Sequence, residues 1–195
     1  MILSILIPTL VDRARLRAPL LSELRKQIGS QPVEVLLDED NRQHTTGFKR
    51  NALLMRATGT YSVFVDDDDW ISYTYVRDIL RVLQTQYVDC IGFWGQAKWE
   101  EGTTRRFVHS LMCPVWTEWV NKDGTPMYYR HPNHLNPIRT DLARKVKYRD
   151  ITISEDHHWT WDMANADLLR REVFLGEKCL YHYRPHASPV GICLP

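Results

Sequence analysis

Four consecutive aspartates, Asp66 to Asp69, are the residues of this sequence best suited to chemistry. They follow the apolar run Tyr61 to Val65, and in an open α/β sheet ligands bind beyond the carboxyl ends of the strands. Two carboxylates about 5 Å apart repel by roughly 3 kcal/mol at an effective dielectric constant of about 20, so a partly buried cluster needs a compensating cation. Mg²⁺ and Mn²⁺ commonly bind through one or two carboxylates and substrate phosphates. The cluster therefore predicts a divalent-cation and phosphate site. The alternative is a solvated acidic turn in which Asp69 caps the next helix.

A second group of polar and aromatic residues runs from Ser154 to Trp159. If Ser154 caps a helix, Glu155 and Asp156 lie in its first turn, where the helix dipole favours carboxylates without any catalytic role. A carboxylate that is held there and faces a cleft is also suited to act as a general base. The dipole lowers the pKa of such a carboxylate, so burial would have to offset it for an efficient base.

Two histidines near the C-terminus, His182 and His186, form the third candidate group. Pro185 and the flanking tyrosines favour extended chain, in which residues four apart share a face and lie roughly 13 Å apart. We therefore expect only one of the two histidines to reach a given metal ion.

The elements that must position these residues alternate between apolar strands and amphipathic helices. In chain order the pattern predicts strand 3–7, stopped by Pro8, helix 13–28, strand 33–37, helix 48–57, strand 61–65, helix 75–83 and strand 88–93. Near-continuous apolar strands that alternate with helices indicate a buried parallel sheet in an α/β fold. Between residues 95 and 136 the periodicity does not decide between hairpins and loops. A helix over 140–146, with Thr140 as its cap, and a helix after Ser154 complete the pattern.

Composition limits the classes of protein to which the chain belongs. Its 195 residues, 44% hydrophobic and 25% charged, are typical of one globular domain. A net charge of +1 provides no strong global field toward nucleic acid or an anionic membrane. The four cysteines are widely spaced and form no CxxC pair, so we expect a reducing, cytoplasmic compartment and no zinc cage. No apolar run approaches the roughly 20 residues of a membrane helix, so no intrinsic membrane segment is expected.

Several short motifs occur in a fixed order along the chain. They are Pro8-Thr9 at a strand end, Asp38-Glu39-Asp40 at the next, Arg50-Asn51, Ala57-Thr58-Gly59, the Asp66–Asp69 cluster, Pro137-Ile138-Arg139, Glu155-Asp156 before an aromatic helix, and Tyr183-Arg184-Pro185-His186. Together they resemble the GT-A glycosyltransferases of family 2. The chain departs from the family pattern where its second strand ends in Asp-Glu-Asp rather than Asp-Asp-Gly-Ser. The carboxylate that contacts the nucleobase is therefore open among Asp38, Glu39 and Asp40.

The resemblance implies a fold and an activity. The fold is a single GT-A (Rossmann-like) α/β domain over 1–195 with a mainly parallel central sheet flanked by helices. Residues 1–93 form its nucleotide-sugar-binding half, and residues 94–195 form its acceptor-binding and catalytic half. The activity is metal-dependent, inverting transfer of a sugar from a nucleotide-diphosphate donor, expected to be a UDP-sugar, to an acceptor hydroxyl, expected on a glycan.

The resemblance also implies roles for individual residues. The nucleoside would be held by Thr9, Asp38 and Asp40. Arg50 would approach the phosphates. Asp66 would contact the ribose or the metal shell, and Asp67 would lie on the nucleotide side. The metal ion, Mn²⁺ or Mg²⁺, would be bound by Asp68 and His186, with His182 as the competitor of His186. Asp156 would be the general base.

The aromatic middle of the chain, beside His131 to His134, is where family members build the acceptor site, and we expect two or three of its aromatic residues to line it. A nucleic acid acceptor is disfavoured but open. Three other functions remain as alternatives: a non-catalytic nucleotide-sugar or glycan binding module, a haloacid-dehalogenase-like phosphotransferase, and a nucleotidyltransferase. The phosphotransferase motif normally follows the first strand, whereas here it follows the third.

Overall fold

The computed structural model describes residues 1–98, 102–120, 124 and 126–184. Within them the helices are α1 (Ala14–Ile28), α2 (Thr46–Arg56), α3 (Tyr75–Thr85), α4 (Thr140–Ala143) and α5 (Glu155–Asn165). The strands are β1 (Leu3–Leu10), β2 (Val33–Asp40), β3 (Tyr61–Phe64), β4 (Trp70–Ile71), β5 (Cys90–Lys98), β6 (Thr104–His109), β7 (Thr117–Val120), β8 (Pro126–Arg130), β9 (Ile138–Arg139), β10 (Glu172–Leu175) and β11 (Tyr181–Tyr183). The predicted alternation of strands and helices is confirmed up to β5, except that the short strand β4 before α3 was not predicted.

The first three strands bring the predicted site residues to one edge of the sheet. β1 pairs in parallel with β2 on one side and with β3 on the other. In this register Thr9 lies beside Glu39, while Leu6 lies beside Phe64, the last residue of β3. Because parallel strands end at the same edge, the segments after β1, β2 and β3 meet there.

β1 does not stop at Pro8, as the sequence predicts, but continues to Leu10. Pro8 pairs with Asp38 of β2, whereas the pairing of β1 with β3 ends at Leu6. Proline lacks a backbone N–H and is tolerated in a strand with one open edge. The strand therefore extends past the proline and carries Thr9 to the site.

The sheet is parallel over its first three strands and mixed beyond them. Its order is β2-β1-β3-β9-β5-β6-β8-β7. β9 joins β3 and β5 by antiparallel pairing, while β10 and β11 pair with β5 in parallel. The α/β class with helices against both faces is confirmed. The boundary that the sequence predicts between residues 93 and 94 falls inside β5, and the division into two halves stays a prediction.

Two apolar clusters hold the helices against the sheet. Alternation along β1 sends Leu3, Ile5 and Ile7 into one cluster and Leu6 into the other. The first cluster contains the buried apolar residues of α1 and α3, and the second contains those of α2, α4 and α5. The sheet edge that carries the polar site is thus supported from both faces.

Three predicted details of the later helices are wrong. α4 ends at Ala143 rather than Val146, and the Thr140 hydroxyl donates to the backbone oxygen of Gly59 at 2.7 Å instead of capping the helix. Ser154 occupies the N-cap position of α5, but its side chain makes no capping hydrogen bond. Its φ of 65° is left-handed, whereas capping residues usually have extended backbone.

Between residues 95 and 136 the chain builds β6, β7 and β8. β6 pairs antiparallel with β5, and β8 pairs in parallel with β6 and antiparallel with β7. In the described part of the chain, no helix has the length and apolar character needed to span a membrane.

Candidate active site

A cavity of about 660 Å³ lies at the carboxyl ends of β1 and β3, and we call it the donor cleft after the donor site that the resemblance predicts there. Its wall includes Thr9, Arg13, Lys49, Arg50, Asp66, Asp67, Asp68, Tyr183 and Arg184. The structure therefore brings together five of the residues predicted from the sequence: Thr9, Arg50 and the first three aspartates of the cluster. Basic side chains surround them, so the cleft contains both the carboxylates and the cations that a metal-bound diphosphate requires.

Arg50 links the donor cleft to the start of α5. Its side chain donates from Nη2 to Asp66 at 3.0 Å and from Nε to Glu155 at 3.1 Å. The guanidinium lies 4.9 Å from the centre of the Phe64 ring, and it is buried at 3% exposure. Its Nη1 is also buried and has no hydrogen-bond partner among the described residues. Nη1 is thus the nitrogen of this guanidinium that lacks an acceptor among the described residues.

Asp66 is held in its ionised form. Burial alone would raise its pKa, but Arg50 and His134 together hold the pKa of this carboxyl well below its usual range. His134 Nε2 lies 3.4 Å from Asp66 Oδ2, and the Asp66 backbone N–H donates to the Tyr181 hydroxyl at 3.1 Å.

The next two aspartates share one arginine. The Asp67 carboxylate accepts from the Thr9 hydroxyl at 2.5 Å and lies 3.0 Å from Arg13 Nη1. Arg13 Nη2 donates to Asp68, which is the more exposed of the two carboxylates. Burial raises the pKa of Asp67. Arg13 therefore neutralises part of the repulsion within the cluster.

Asp69 does not cap a helix, because α3 begins only at Tyr75. Its buried carboxylate accepts from the Tyr181 hydroxyl at 2.7 Å and from the Arg184 backbone N–H at 2.8 Å. Burial, with the neighbouring charge of Asp66, raises its pKa well above the usual value. Asp69 thus ties the acidic cluster to β11, and the solvated-turn alternative is wrong.

The acidic residues at the end of β2 do not line the donor cleft. Asp40 accepts from Lys49 and from the backbone N–H of His44 at 2.8 Å. Although desolvation opposes it, these bonds lower the pKa of Asp40 to about 2. Asp38 lies 3.9 Å from Arg56, and Glu39 pairs with Arg17 at 2.6 Å. Contact of Asp38 and Asp40 with a nucleoside stays a prediction.

A second cavity of about 390 Å³ adjoins the donor cleft, and we call it the acceptor cavity after the acceptor site that the resemblance predicts near His131 to His134. Arg50, Asp66 and Tyr183 line both. The wall of the acceptor cavity also includes Phe107, His109, Trp116, Tyr128, Arg130, Asn133, His134, Glu155 and Asp156. Trp116 and Tyr128 belong to the aromatic middle of the chain, of which two or three residues were expected to line the acceptor site. The side chains of Trp99 and Trp119, from the same segment, lie outside the described residues.

Asp156 faces this acceptor cavity and is surrounded by cations. Arg130 donates to its Oδ2 from Nη1 at 3.3 Å and from Nη2 at 3.4 Å, and His134 Nδ1 lies 3.8 Å from the same oxygen. Burial would raise the pKa of Asp156, but Arg130, His134 and Arg50 lower it below the usual value. The upward effect of burial on the pKa is therefore smaller than the downward effect of these cations, whereas an efficient base would need the reverse. Asp156 is ionised at neutral pH.

The two C-terminal histidines do not join the described site. His182 lies on β11, where its Nδ1 is 3.8 Å from the Cys179 sulfur, and it lines neither cavity. His186 lies outside the described residues. The neighbouring Tyr183 lines both cavities instead.

The carboxylates fit a divalent cation only as a site shared with substrate. Among the described residues, no group of three or more histidine, cysteine, aspartate or glutamate side chains is placed to hold a metal ion by itself. Asp66 and Asp68 nevertheless lie on the wall of the donor cleft, and Mg²⁺-type cations usually bind through one or two carboxylates and substrate phosphates. The donor set thus fits a metal that binds together with a diphosphate.

Comparison with known families decides what kind of protein this is. The model of the family described as glycosyl transferase family 2 matches residues 4–154. The chain belongs to glycosyl transferase family 2. No curated protein sequence matches it significantly. The matched range runs from the second residue of β1 through β9 and α4, contains the acidic cluster, and ends two residues before Asp156. Membership of family 2 argues against the phosphotransferase and nucleotidyltransferase alternatives.

Solved structures of S. aureus TarS share the GT-A fold of this family 2 chain. TarS 1-349 in complex with UDP has a TM-score of 0.69 and 18% identity, over 95% of this chain and 61% of that one. TarS 1-349 in complex with UDP-GlcNAc has a TM-score of 0.67 and 18% identity, over 95% and 59%. The longer TarS structure has a TM-score of 0.66 and 17% identity, over 95% of this chain and 37% of that one. The chain thus spans less than two thirds of the TarS chains that it matches.

Sequence reasoning missed the cations that hold the carboxylates of this family 2 site. Arg13 pairs with Asp67 and Asp68, Arg130 pairs with Asp156, and His134 lies between Asp66 and Asp156. No spacing rule connects these residues, because each pair joins distant parts of the chain. The only signal was the position of His134 beside the aromatic segment.

Proposed function

We propose that this family 2 protein is a metal-dependent, inverting glycosyltransferase. It transfers a sugar from a nucleotide-diphosphate donor, a UDP-sugar, to a hydroxyl of a saccharide acceptor. Family membership and the GT-A fold support sugar transfer. UDP and UDP-GlcNAc are bound by TarS, which is similar in fold, and this makes a UDP-sugar the first donor to test.

The observation that carries the proposal is the meeting of the two cavities at Arg50, Asp66 and Tyr183. A transferase for two substrates needs adjoining sites with the reacting bond at their junction. The donor cleft is rich in carboxylates and cations, whereas the acceptor cavity has aromatic walls and the carboxylate of Asp156. Aromatic faces are suited to pack against sugar rings, whose C–H faces are apolar.

In the reaction that we propose, the acceptor oxygen attacks the anomeric carbon from the side of the acceptor cavity. Asp156 accepts the hydroxyl proton, the bond from the anomeric carbon to the diphosphate breaks, and the nucleoside diphosphate leaves into the donor cleft. Attack from the side opposite the leaving group inverts the anomeric centre in a single displacement. Because Asp156 is ionised at neutral pH, it is ready to accept the proton.

The leaving diphosphate gains negative charge, so positive groups at the donor cleft stabilise the transition state. A bound Mn²⁺ or Mg²⁺ would add electrostatic stabilisation at the phosphate oxygens. Asp68 would hold the metal, with His186 as the proposed second ligand. Arg50 would donate to the phosphates through Nη1, the atom without a partner among the described residues.

On the nucleoside side, Thr9 and Asp67 lie on the wall of the donor cleft and are joined by a hydrogen bond of 2.5 Å. Asp40 acts through its neighbours, because it holds Lys49 and the backbone of His44, and both of these residues line the cleft. Asp38, at the end of the same strand, would contact the nucleoside. Asp66 orients the donor, and Arg50 keeps the Asp66 carboxylate ionised.

The experiment is a donor screen with the intact chain. Unfolding temperature and UDP release are measured with UDP-glucose, UDP-galactose, UDP-GlcNAc and UDP-GalNAc, each with and without Mn²⁺. A ligand at 100 times its dissociation constant stabilises the folded state by about 2.7 kcal/mol. We expect a Mn²⁺-dependent rise in unfolding temperature and UDP release with at least one donor. Stabilisation without turnover, even after addition of saccharide acceptors, would instead identify a binding module, and no response to any nucleotide or metal would refute donor binding.

A further inference from the structure

His134 lies between the carboxylates of the donor cleft and the acceptor cavity. Its side chain is 6% exposed, with Nε2 at 3.4 Å from Asp66 Oδ2 and Nδ1 at 3.8 Å from Asp156 Oδ2. Nδ1 is buried and has no hydrogen-bond partner among the described residues. The ring therefore faces a different functional carboxylate with each of its nitrogens.

The loop that carries His134 is held by buried hydrogen bonds. The Phe64 backbone N–H donates to the His134 carbonyl at 2.9 Å, which ties the loop to the end of β3. Asn136 donates from Nδ2 to the Ile91 carbonyl at 2.9 Å and accepts from the Asn133 backbone N–H at 2.9 Å. The backbone that carries His134 is thus held by the sheet independently of the carboxylates that the ring faces.

The contacts of the Asp156 side chain fall on one oxygen. Within the described residues, both Arg130 hydrogen bonds and the approach of His134 reach Oδ2. Arg130 itself is held over the Trp116 ring, with its guanidinium carbon 5.2 Å from the ring centre. This arrangement orients the carboxylate so that Oδ1 is the oxygen left to accept a proton from a substrate hydroxyl.

We infer that His134 is a positioning residue for transfer: it fixes the Asp156 carboxylate relative to Asp66 and so aligns the base with the donor cleft. This inference rests on the proposed function. His134 touches neither substrate nor metal in this role but acts through the two carboxylates. A 1 Å misplacement of a catalytic group can cost on the order of 10²-fold in rate, so loss of the imidazole should lower kcat.

Three substitutions separate the two nitrogens. The amide nitrogen of asparagine lies close to the place of the histidine Nδ1, whereas that of glutamine lies close to the place of Nε2. His134→Asn therefore places an amide nitrogen toward Asp156, and His134→Gln places one toward Asp66. His134→Phe keeps a flat ring of similar size and removes both nitrogens.

The test compares UDP release by the wild-type chain and the three variants, with Mn²⁺, the active UDP-sugar from the donor screen, and water as acceptor. Calorimetric titration with UDP counts the folded binding sites in each preparation. We expect kcat per binding site to fall on the order of 10²-fold in His134→Phe and in His134→Gln. His134→Asn should recover most of the rate, while the KM for the UDP-sugar stays within about threefold in all three variants.

Two results would overturn the inference. One is wild-type kcat in His134→Phe, and the other is equal kcat in His134→Asn and His134→Gln, since a merely structural histidine has no reason to favour one amide position. If His134→Phe does not fold, the comparison of the two amides decides alone. A wild-type chain that releases no UDP from any of the four donors would instead refute the proposed function, and the inference with it.

Discussion

Replacement of Arg50 by methionine tests whether the buried ion pairs hold the two halves of the site together. Arg50 contacts Asp66 at the end of β3 and Glu155 at the start of α5, and it is 3% exposed. Removal of one partner from a buried pair costs about 3–5 kcal/mol, because an uncompensated charge stays buried. For a chain of this size, that loss lowers the unfolding temperature by about 6–20 °C. We expect urea unfolding to give Arg50→Met a free energy of unfolding about 3–5 kcal/mol below that of the wild type.

The matched control is Arg56→Met on the same helix. Arg56 is half exposed and lies 3.9 Å from Asp38, so its loss should cost about 0–1 kcal/mol. A double variant, Arg50→Met with Glu155→Gln, should be more stable than Arg50→Met alone, because it removes one of the unpaired charges. An Arg50→Met variant within 1 kcal/mol of the wild type would refute the reasoning.

The stabilisation by the Arg50–Asp66 pair depends on pH. Arg50 holds the pKa of Asp66 below its ordinary value of 3.8, so the pair stabilises the fold at pH values above that value. This contribution is lost as the pH falls through the lower pKa of the folded state. The difference in stability between wild type and Arg50→Met should therefore shrink as the solution becomes acidic.

Three further predictions concern the metal, the base and the packing of α2. Asp68→Ala should remove the Mn²⁺-dependent part of UDP affinity, which calorimetric titration measures. A UDP affinity that does not depend on Mn²⁺ in either the wild type or the variant would argue against a metal at Asp68. Because the pKa of Asp156 is lowered, UDP release should stay nearly constant from about pH 8 to about pH 5, and a midpoint near pH 6 would contradict this assignment. Gly47→Ala should destabilise the fold by about 1–3 kcal/mol, since its new Cβ would lie 1.8 Å from the Arg149 carbonyl oxygen, and an unchanged urea midpoint would disprove the close contact.

The first half of the fold follows from local patterns. Apolar runs and helical spacing predict β1 to β3 and α1 to α3, because each element buries a face against its neighbours in chain order. The extent of β1 past Pro8 was not predictable, since it depends on where β3 ends. The strands between residues 95 and 136 were not predicted either. β6 pairs in parallel with β8, although β7 lies between them in the chain, and no local signal encodes such a pairing.

The site was predictable in its acidic residues but not in their partners. Strand-end position placed Asp66 to Asp68 at the donor cleft, and the start of a helix placed Asp156 on the acceptor cavity. The phosphate contact of Arg50 stays a prediction, and its pairing with both Asp66 and Glu155 was not predicted. Asp38 and Asp40 share the strand end of β2 but turn to Arg56 and Lys49. These contacts are decided by the packing of α2 and α5 on the sheet, which periodicity does not report.

The central claim is that the donor cleft and the acceptor cavity form one transfer site with Asp156 as its base. The most direct measurement is UDP release and UDP binding in the same preparations of wild type, Asp156→Asn and the control Asp162→Asn, an aspartate on the outer side of α5. We predict that Asp156→Asn loses release on the order of 10²-fold or more and keeps the UDP affinity of the wild type, while Asp162→Asn behaves as wild type. Wild-type release by Asp156→Asn would contradict the account.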